Sequence, residues 1–261
     1  MSPPLAAPMS GTPIGPPTFR ALFASELLRM RSRRLFHALI AAVLVLLTIV
    51  FIVAFVQIDR SVGTVFDEEF LAGYIFAFFP PMLGLGLLVG SSHVGAEWAS
   101  RGVTNLLFWE PRRVRVLAAK FCGVALATTL GSFAVLGAIG LGVRALGTTV
   151  TAEASWVVLL TARMAILIGF TALLCAATAA VSRSTITAAG GAFILLVVVE
   201  PLMYGWLDNF DRFAITANAF RFFAWETVTG QGPIAGLAIL LAYIAGFVAI
   251  AMAVFKRQEI G

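Results

Sequence analysis

Arg163 and Glu200 each interrupt a run that is otherwise free of charge. Ser155–Ser182 is broken only by Arg163, and Ser184–Trp206 only by Glu200. On insertion scales a single charge at the centre of a membrane helix costs about 2.5–3.5 kcal/mol, so such residues pair, line a cavity or sit on a transport path. One acid and one base can form an ion pair or a gate. They make a poor catalytic set, because the chain has no Gly-x-Ser-x-Gly, no His-Glu-x-x-His and no paired aspartates on its apolar runs. Cys122 and Cys175 stand in apolar stretches without CxxC or Cys/His spacing and read as packing residues. His37 and His93 fall at the inner ends of apolar runs and read as interfacial histidines. A phosphate-binding loop needs Gly-x-x-x-x-Gly-Lys-Ser/Thr. The two lysines, Lys120 and Lys256, are followed by Phe121 and Arg257, so that loop is missing. No catalytic, cofactor-binding or metal-binding residue is assigned.

The elements that must hold these residues are membrane helices. Of 261 residues 60% are apolar and 12% charged, with a mean hydropathy of +0.98. This composition excludes an ordinary soluble enzyme and a disordered chain alike. A span needs roughly 20 apolar residues. The charge-free runs give six, at about 35–57, 70–92, 117–142, 155–181, 185–206 and 233–255. Placing both termini in the cytoplasm puts thirteen basic residues on the inner flanks and four outside (Arg60, Arg144, Arg212 and Arg221). That asymmetry fixes the orientation. The excess of basic residues belongs to inner loops facing a lipid bilayer, and nucleic acid is not expected as a partner. Residues 1–18, with six prolines and no charge, are expected to be a flexible cytoplasmic tail, and no cleavable signal is read there. Within the second span Gly86 and Gly90 have the small-xxx-small spacing that lets helices approach closely. Packing inside the subunit is the expected use.

Two cytoplasmic segments are not spans. Residues 19–34 form an expected amphipathic interfacial helix, with Leu22, Phe23, Leu27, Leu28 and Met30 near one face and Arg20, Glu26, Arg29 and Arg33 largely off it. It serves either as an anchor or as a surface for a cytoplasmic partner. The loop His93–Lys120 is too long and too patterned for a turn. Trp98, Val103, Leu106, Leu107 and Trp109 share a helical face, and Glu97, Arg101, Thr104 and Asn105 offer polar groups. Pro111 breaks this helix and can start the next. Arg112, Arg113 and Arg115 then lie in the first turns of that next helix, where the dipole disfavours cations. Lipid phosphate or an acidic partner surface would hold them. The plainer alternative is a positive-inside stop with interfacial tryptophans. Outside the membrane, Leu207–Gln231 carries Phe220, Phe222, Phe223 and Trp225 among charged residues, as an aromatic belt or a lid.

The run Glu97…Arg101-Gly102-Val103-Thr104…Leu106-Leu107…Pro111-Arg112-Arg113…Val116-Leu117…Lys120 resembles the cytoplasmic loop of type-2 ATP-binding-cassette permeases. It departs from that pattern by placing Val103 between Gly102 and Thr104. The ending Phe255-Lys256-Arg257-Gln258-Glu259-Ile260-Gly261, the six spans, the N-terminal helix and the aromatic outer segment resemble the same family. The resemblance implies an all-α polytopic permease over residues 35–261 with a coupling helix between spans two and three. It further implies a non-enzymatic subunit of a multi-pass exporter in the plasma membrane of a bacterium. ATP and magnesium would be bound by a separate ATPase subunit in two copies, alongside a second permease chain, identical or homologous. Glu97, Trp98, Arg101, Thr104, Asn105, Arg112 and Arg113 would then contact the ATPase subunit. Phe220, Phe222, Phe223 and Trp225 would form an outer gate.

The fourth and fifth spans are antiparallel neighbours, because only a short turn joins them. Arg163 and Glu200 lie roughly 12 and 9 Å below the outer ends of these spans by helix rise. A direct ion pair is therefore expected in at least one state. The competing functions are a non-transporting assembly or anchor subunit and, with less to support it, an intramembrane enzyme.

Overall fold

The computed structural model describes residues 18–32, 79–100, 112–146, 153–204, 206–224 and 231–257, with scattered positions between 37 and 75. Among the described residues every regular element is a helix. These are α1 (Phe19–Ser32), α2 (Phe79–Ala99), α3 (Arg113–Leu146), α4 (Ala154–Ser182), α5 (Thr185–Tyr204), α6 (Ile215–Ala224) and α7 (Pro233–Arg257). Among the described residues four stretches are long and apolar enough to cross a membrane: Val114–Gly142, Ala154–Ser182, Thr185–Tyr204 and Pro233–Arg257. They fall on the expected third to sixth spans. Most of the expected first span (35–57), residues 70, 71, 74 and 76–78 of the second, the tail through residue 17 and the 101–111 segment lie outside the described residues.

Helix α4 is the centre of the bundle and packs against α2 and α3 along much of its length. Its C-terminal half is nearly all small: Ala172, Ala176, Ala177, Ala179 and Ala180 are fully buried. The partner helices match this with glycine. A Cβ added to Gly90 would stand 2.0 Å from the Ala172 carbonyl oxygen, and one added to Gly86 would stand 3.0 Å from that of Ile168. The small-xxx-small face of α2 is therefore spent inside the chain, as its spacing suggests. Thr128, Thr161, Thr171 and Thr178 return their hydroxyl protons to carbonyls three or four residues earlier. Apolar helices thus carry these hydroxyls without unpaired donors.

The chain reverses between α4 and α5 in two residues. Arg183 takes the left-handed conformation (φ 56°) and donates its N–H to Ala179 O at 2.9 Å, closing α4. The Ser184 hydroxyl then accepts the Thr187 N–H at 3.3 Å and caps α5. Midway, α5 widens into a π-helical turn at Leu195–Val199 and returns to α-helix at Glu200. The outer faces of α5 and α7 stay apolar and exposed, including Ile186, Phe193, Leu202, Ile234, Leu241 and Ile250. Such faces suit lipid or another protein chain.

Helix α1 differs from its expected amphipathic division. Its buried stripe is Leu22, Glu26 and Met30, one residue per turn, while Leu28 is 64% exposed. Glu26 therefore sits in the middle of the packed face. The sequence places it among the polar residues because a carboxylate normally faces water. Here it is buried because partners await it.

Candidate functional site

Those partners come from two other helices. The Glu26 Oε2 atom accepts from Lys120 Nζ at 2.8 Å and lies 3.1 Å from His93 Nε2. Lys120 Nζ also pairs with the carboxylate of Glu97. Arg29, half exposed at the rim, reaches Glu26 Oε1 at 3.2 Å. A carboxylate only accepts, so His93 donates from Nε2 in this arrangement. Glu26, His93, Glu97 and Lys120 are all 5% exposed or less.

Each position follows from local structure. His93 and Glu97 stand one turn apart at the C-terminal end of α2 and so share a face. Lys120 sits two turns into α3, and its long stem reaches between α1 and α2. Burial alone would raise the Glu26 carboxyl. The hydrogen bond from His93 and the Lys120 ammonium overcome this and hold it down at about 2. The group is thus an anion throughout the physiological range. Two carboxylates share one buried ammonium, and the Arg29 guanidinium completes the charge balance from the edge. Such a group is costly to disassemble, because removing one member strands the others out of water.

Trp98, beside Glu97, turns to a different set of neighbours. The Arg183 guanidinium stands 4.8 Å from its ring centroid, and Phe255 packs edge-on at 5.8 Å. Two adjacent residues at the end of α2 therefore touch α3, the α4–α5 turn and the C-terminal end of α7. The segment 101–111 departs from this junction at α2 and rejoins the described chain at Arg112, just before α3.

The expected contact residues divide accordingly. Glu97 is buried against Lys120, and Trp98 lies partly buried beside Arg183 and Phe255. Arg112 is exposed. Arg101, Thr104, Asn105 and the Arg113 side chain lie outside the described residues. His93, expected at the membrane interface, is instead buried in the cluster. The Glu26 carboxylate, 3.1 Å from Nε2, holds the ring inside. Glu26, His93 and Lys120 were missed as a group. The signal that could have found them is Glu26 standing at four-residue spacing between Leu22 and Met30, in a chain with only two lysines.

The charges Arg163 and Glu200 take different partners from the direct pair expected. The Glu200 carboxylate accepts from Ile215 N at 2.6 Å, Thr216 N at 2.9 Å and Thr216 Oγ1 at 2.6 Å. It therefore caps the N-terminus of α6, where the dipole favours an anion. Arg163 Nη1 approaches Phe223 O, at the C-terminal end of the same helix, at 3.5 Å. Helix rotation decides this, and one sequence leaves rotation open. The two charges meet opposite ends of α6 rather than each other.

Of the expected outer gate, Phe222 and Phe223 are buried, Phe220 is 47% exposed, and Trp225 lies outside the described residues. Arg221 is fully buried and fixes the preceding turn. It donates to Asp211 Oδ2 at 2.8 Å, Asp211 O at 2.7 Å and Asn218 Oδ1 at 3.2 Å. Neither a family model nor a curated protein matches the sequence.

Proposed function

We propose that this chain is the permease subunit of an ATP-binding-cassette exporter, forming half of a substrate pathway and driven by a separate ATPase subunit. The observation that carries this is the buried Glu26–His93–Lys120–Glu97 group at both roots of the 101–111 segment. It ties the two helices that bracket the segment to α1, so a push on the segment reaches the bundle through stiff, costly contacts. In the permease family it resembles, that segment is the coupling helix. The lack of a phosphate-binding loop in the sequence agrees with ATP being bound elsewhere.

On this proposal the chain has six spans and lies in a bacterial plasma membrane with both termini cytoplasmic. It pairs with a second permease chain and two ATPase subunits. Arg101 and Asn105 contact the ATPase subunit, and Phe220 and Trp225 belong to the outer gate. The test is purification of the tagged chain from its native membrane. An ATPase subunit should co-purify, and the complex should turn over ATP. Arg101→Glu should uncouple that turnover from transport while leaving membrane insertion intact. A chain that purifies with no ATPase subunit would instead fit an assembly or anchor role.

A further inference from the structure

Helix α6, held at both ends by membrane-depth charges, roofs a cavity of about 230 Å³ between α2, α4 and α5. Its floor is Leu83 of α2 with Phe170 and Thr171 of α4. Its roof is Ala219 and Phe220 of α6, and Leu196 and Val197 of α5 close one side. The wall has two hydroxyls, and both protons are already given away. Thr171 donates to Ile168 O at 2.8 Å and Thr216 to Glu200 Oε2 at 2.6 Å. None of the lining residues carries a charge. Apolar walls of this kind do not hold water.

We infer that this cavity is a binding site for one acyl chain of a bilayer phospholipid. The volume falls below the roughly 300–1,000 Å³ typical of sites for drug-sized ligands, which favours a thin, flexible occupant. The absence of a donor or charge in the wall selects hydrocarbon over an amine or a hydroxylated compound. The rim points to the bilayer as the source. Val197 and Phe220, half exposed, continue directly into the apolar outer face of α5 formed by Ile194, Val198 and Leu202. A chain can therefore enter sideways from the membrane without crossing polar surface. The site lies within one subunit and does not depend on the exporter proposal.

The test uses the full chain in nanodiscs of phosphatidylethanolamine containing a small fraction of phospholipid with a diazirine in mid-chain. After photolysis, labelled residues are mapped by mass spectrometry. Label is expected on 215–224 and on Leu196–Val197, in addition to the outer face of α7. Ala219→Phe fills the cavity and should remove most of the label from 215–224 while leaving that on Leu241 and Ile250 unchanged. Phe220→Ala widens the mouth without filling it and should raise the label, which keeps the test informative if Ala219→Phe misfolds. Equal labelling of 215–224 in wild type and both variants would overturn the site. Labelling by a soluble diazirine fatty acid but not by the phospholipid would overturn the assignment to a bilayer lipid.

Discussion

Glu26 and Lys120 are 94 positions apart in the chain and 2.8 Å apart in the fold. This contact makes an N-terminal helix that could have been a surface float into a part of the bundle. Lys120 is shared with Glu97, so the same ammonium also closes the C-terminal end of α2 on the N-terminal part of α3.

Removing the ammonium should therefore be worse than removing the group it serves. Lys120→Met leaves two carboxylates buried without their cation and should destabilise the chain by about 3–5 kcal/mol. Adding Glu26→Gln to Lys120→Met should restore part of that loss. Unfolding of the purified variants in detergent measures both. Strictly additive effects would show that the pair is not coupled.

The Glu26 carboxyl titrates at about 2 in the fold against an ordinary value of 4.5. Its folded value is depressed, so its contribution to stability is present above pH 4.5 and is lost as pH falls through 2. The difference corresponds to about 3 kcal/mol. The thermal midpoint of the wild type should fall across this window, and Glu26→Gln should flatten that part of the profile. An unchanged slope in the variant would count against the assignment.

Glu200 and Arg163 serve opposite ends of α6, which are roughly 15 Å apart along a ten-residue helix. Glu200→Ala leaves the Ile215 and Thr216 amides unpaired and should cost about 1–3 kcal/mol. Combined with Arg163→Met, the effects should add to within about 0.5 kcal/mol. Strong coupling in that double variant would instead indicate a direct ion pair in another state.

Glycine positions in α2 give a paired comparison. Gly90→Ala forces a Cβ to within 2.0 Å of the Ala172 backbone, whereas Gly84→Ala meets nothing within 4 Å. The first should destabilise by about 1–3 kcal/mol because backbone must move. The second should be neutral or stabilise by up to about 1 kcal/mol through helix propensity. Similar midpoints for the two variants would refute the close α2–α4 approach.

The bounds of α4 and α7 were legible to within a few residues because charge-free runs of that length have few other uses. So was the inward face of α2, since Gly86 and Gly90 matter only where another backbone comes close. The charge cluster was not legible. Hydropathy assigns a carboxylate to the wet side, and only the tertiary arrival of His93 and Lys120 reverses that for Glu26. The fate of Arg163 and Glu200 was half legible. That their helices adjoin follows from the short turn between them, but their partners depend on rotation and on α6, which looks in sequence like an aromatic outer loop.

The π-helical turn at Leu195–Val199 ends at the residue before Glu200. A π turn holds one residue more than the α-helix around it. Relaxing it would turn everything beyond by roughly 100°, the angle between successive residues of an α-helix. The Glu200 carboxylate would then swing away from the amides of Ile215 and Thr216, and α6 would lose its N-terminal anchor. The aim of that carboxylate thus depends on a single surplus residue, so deleting Val198 would act as a phase shift, leaving the N-terminal half of α5 in place while releasing α6.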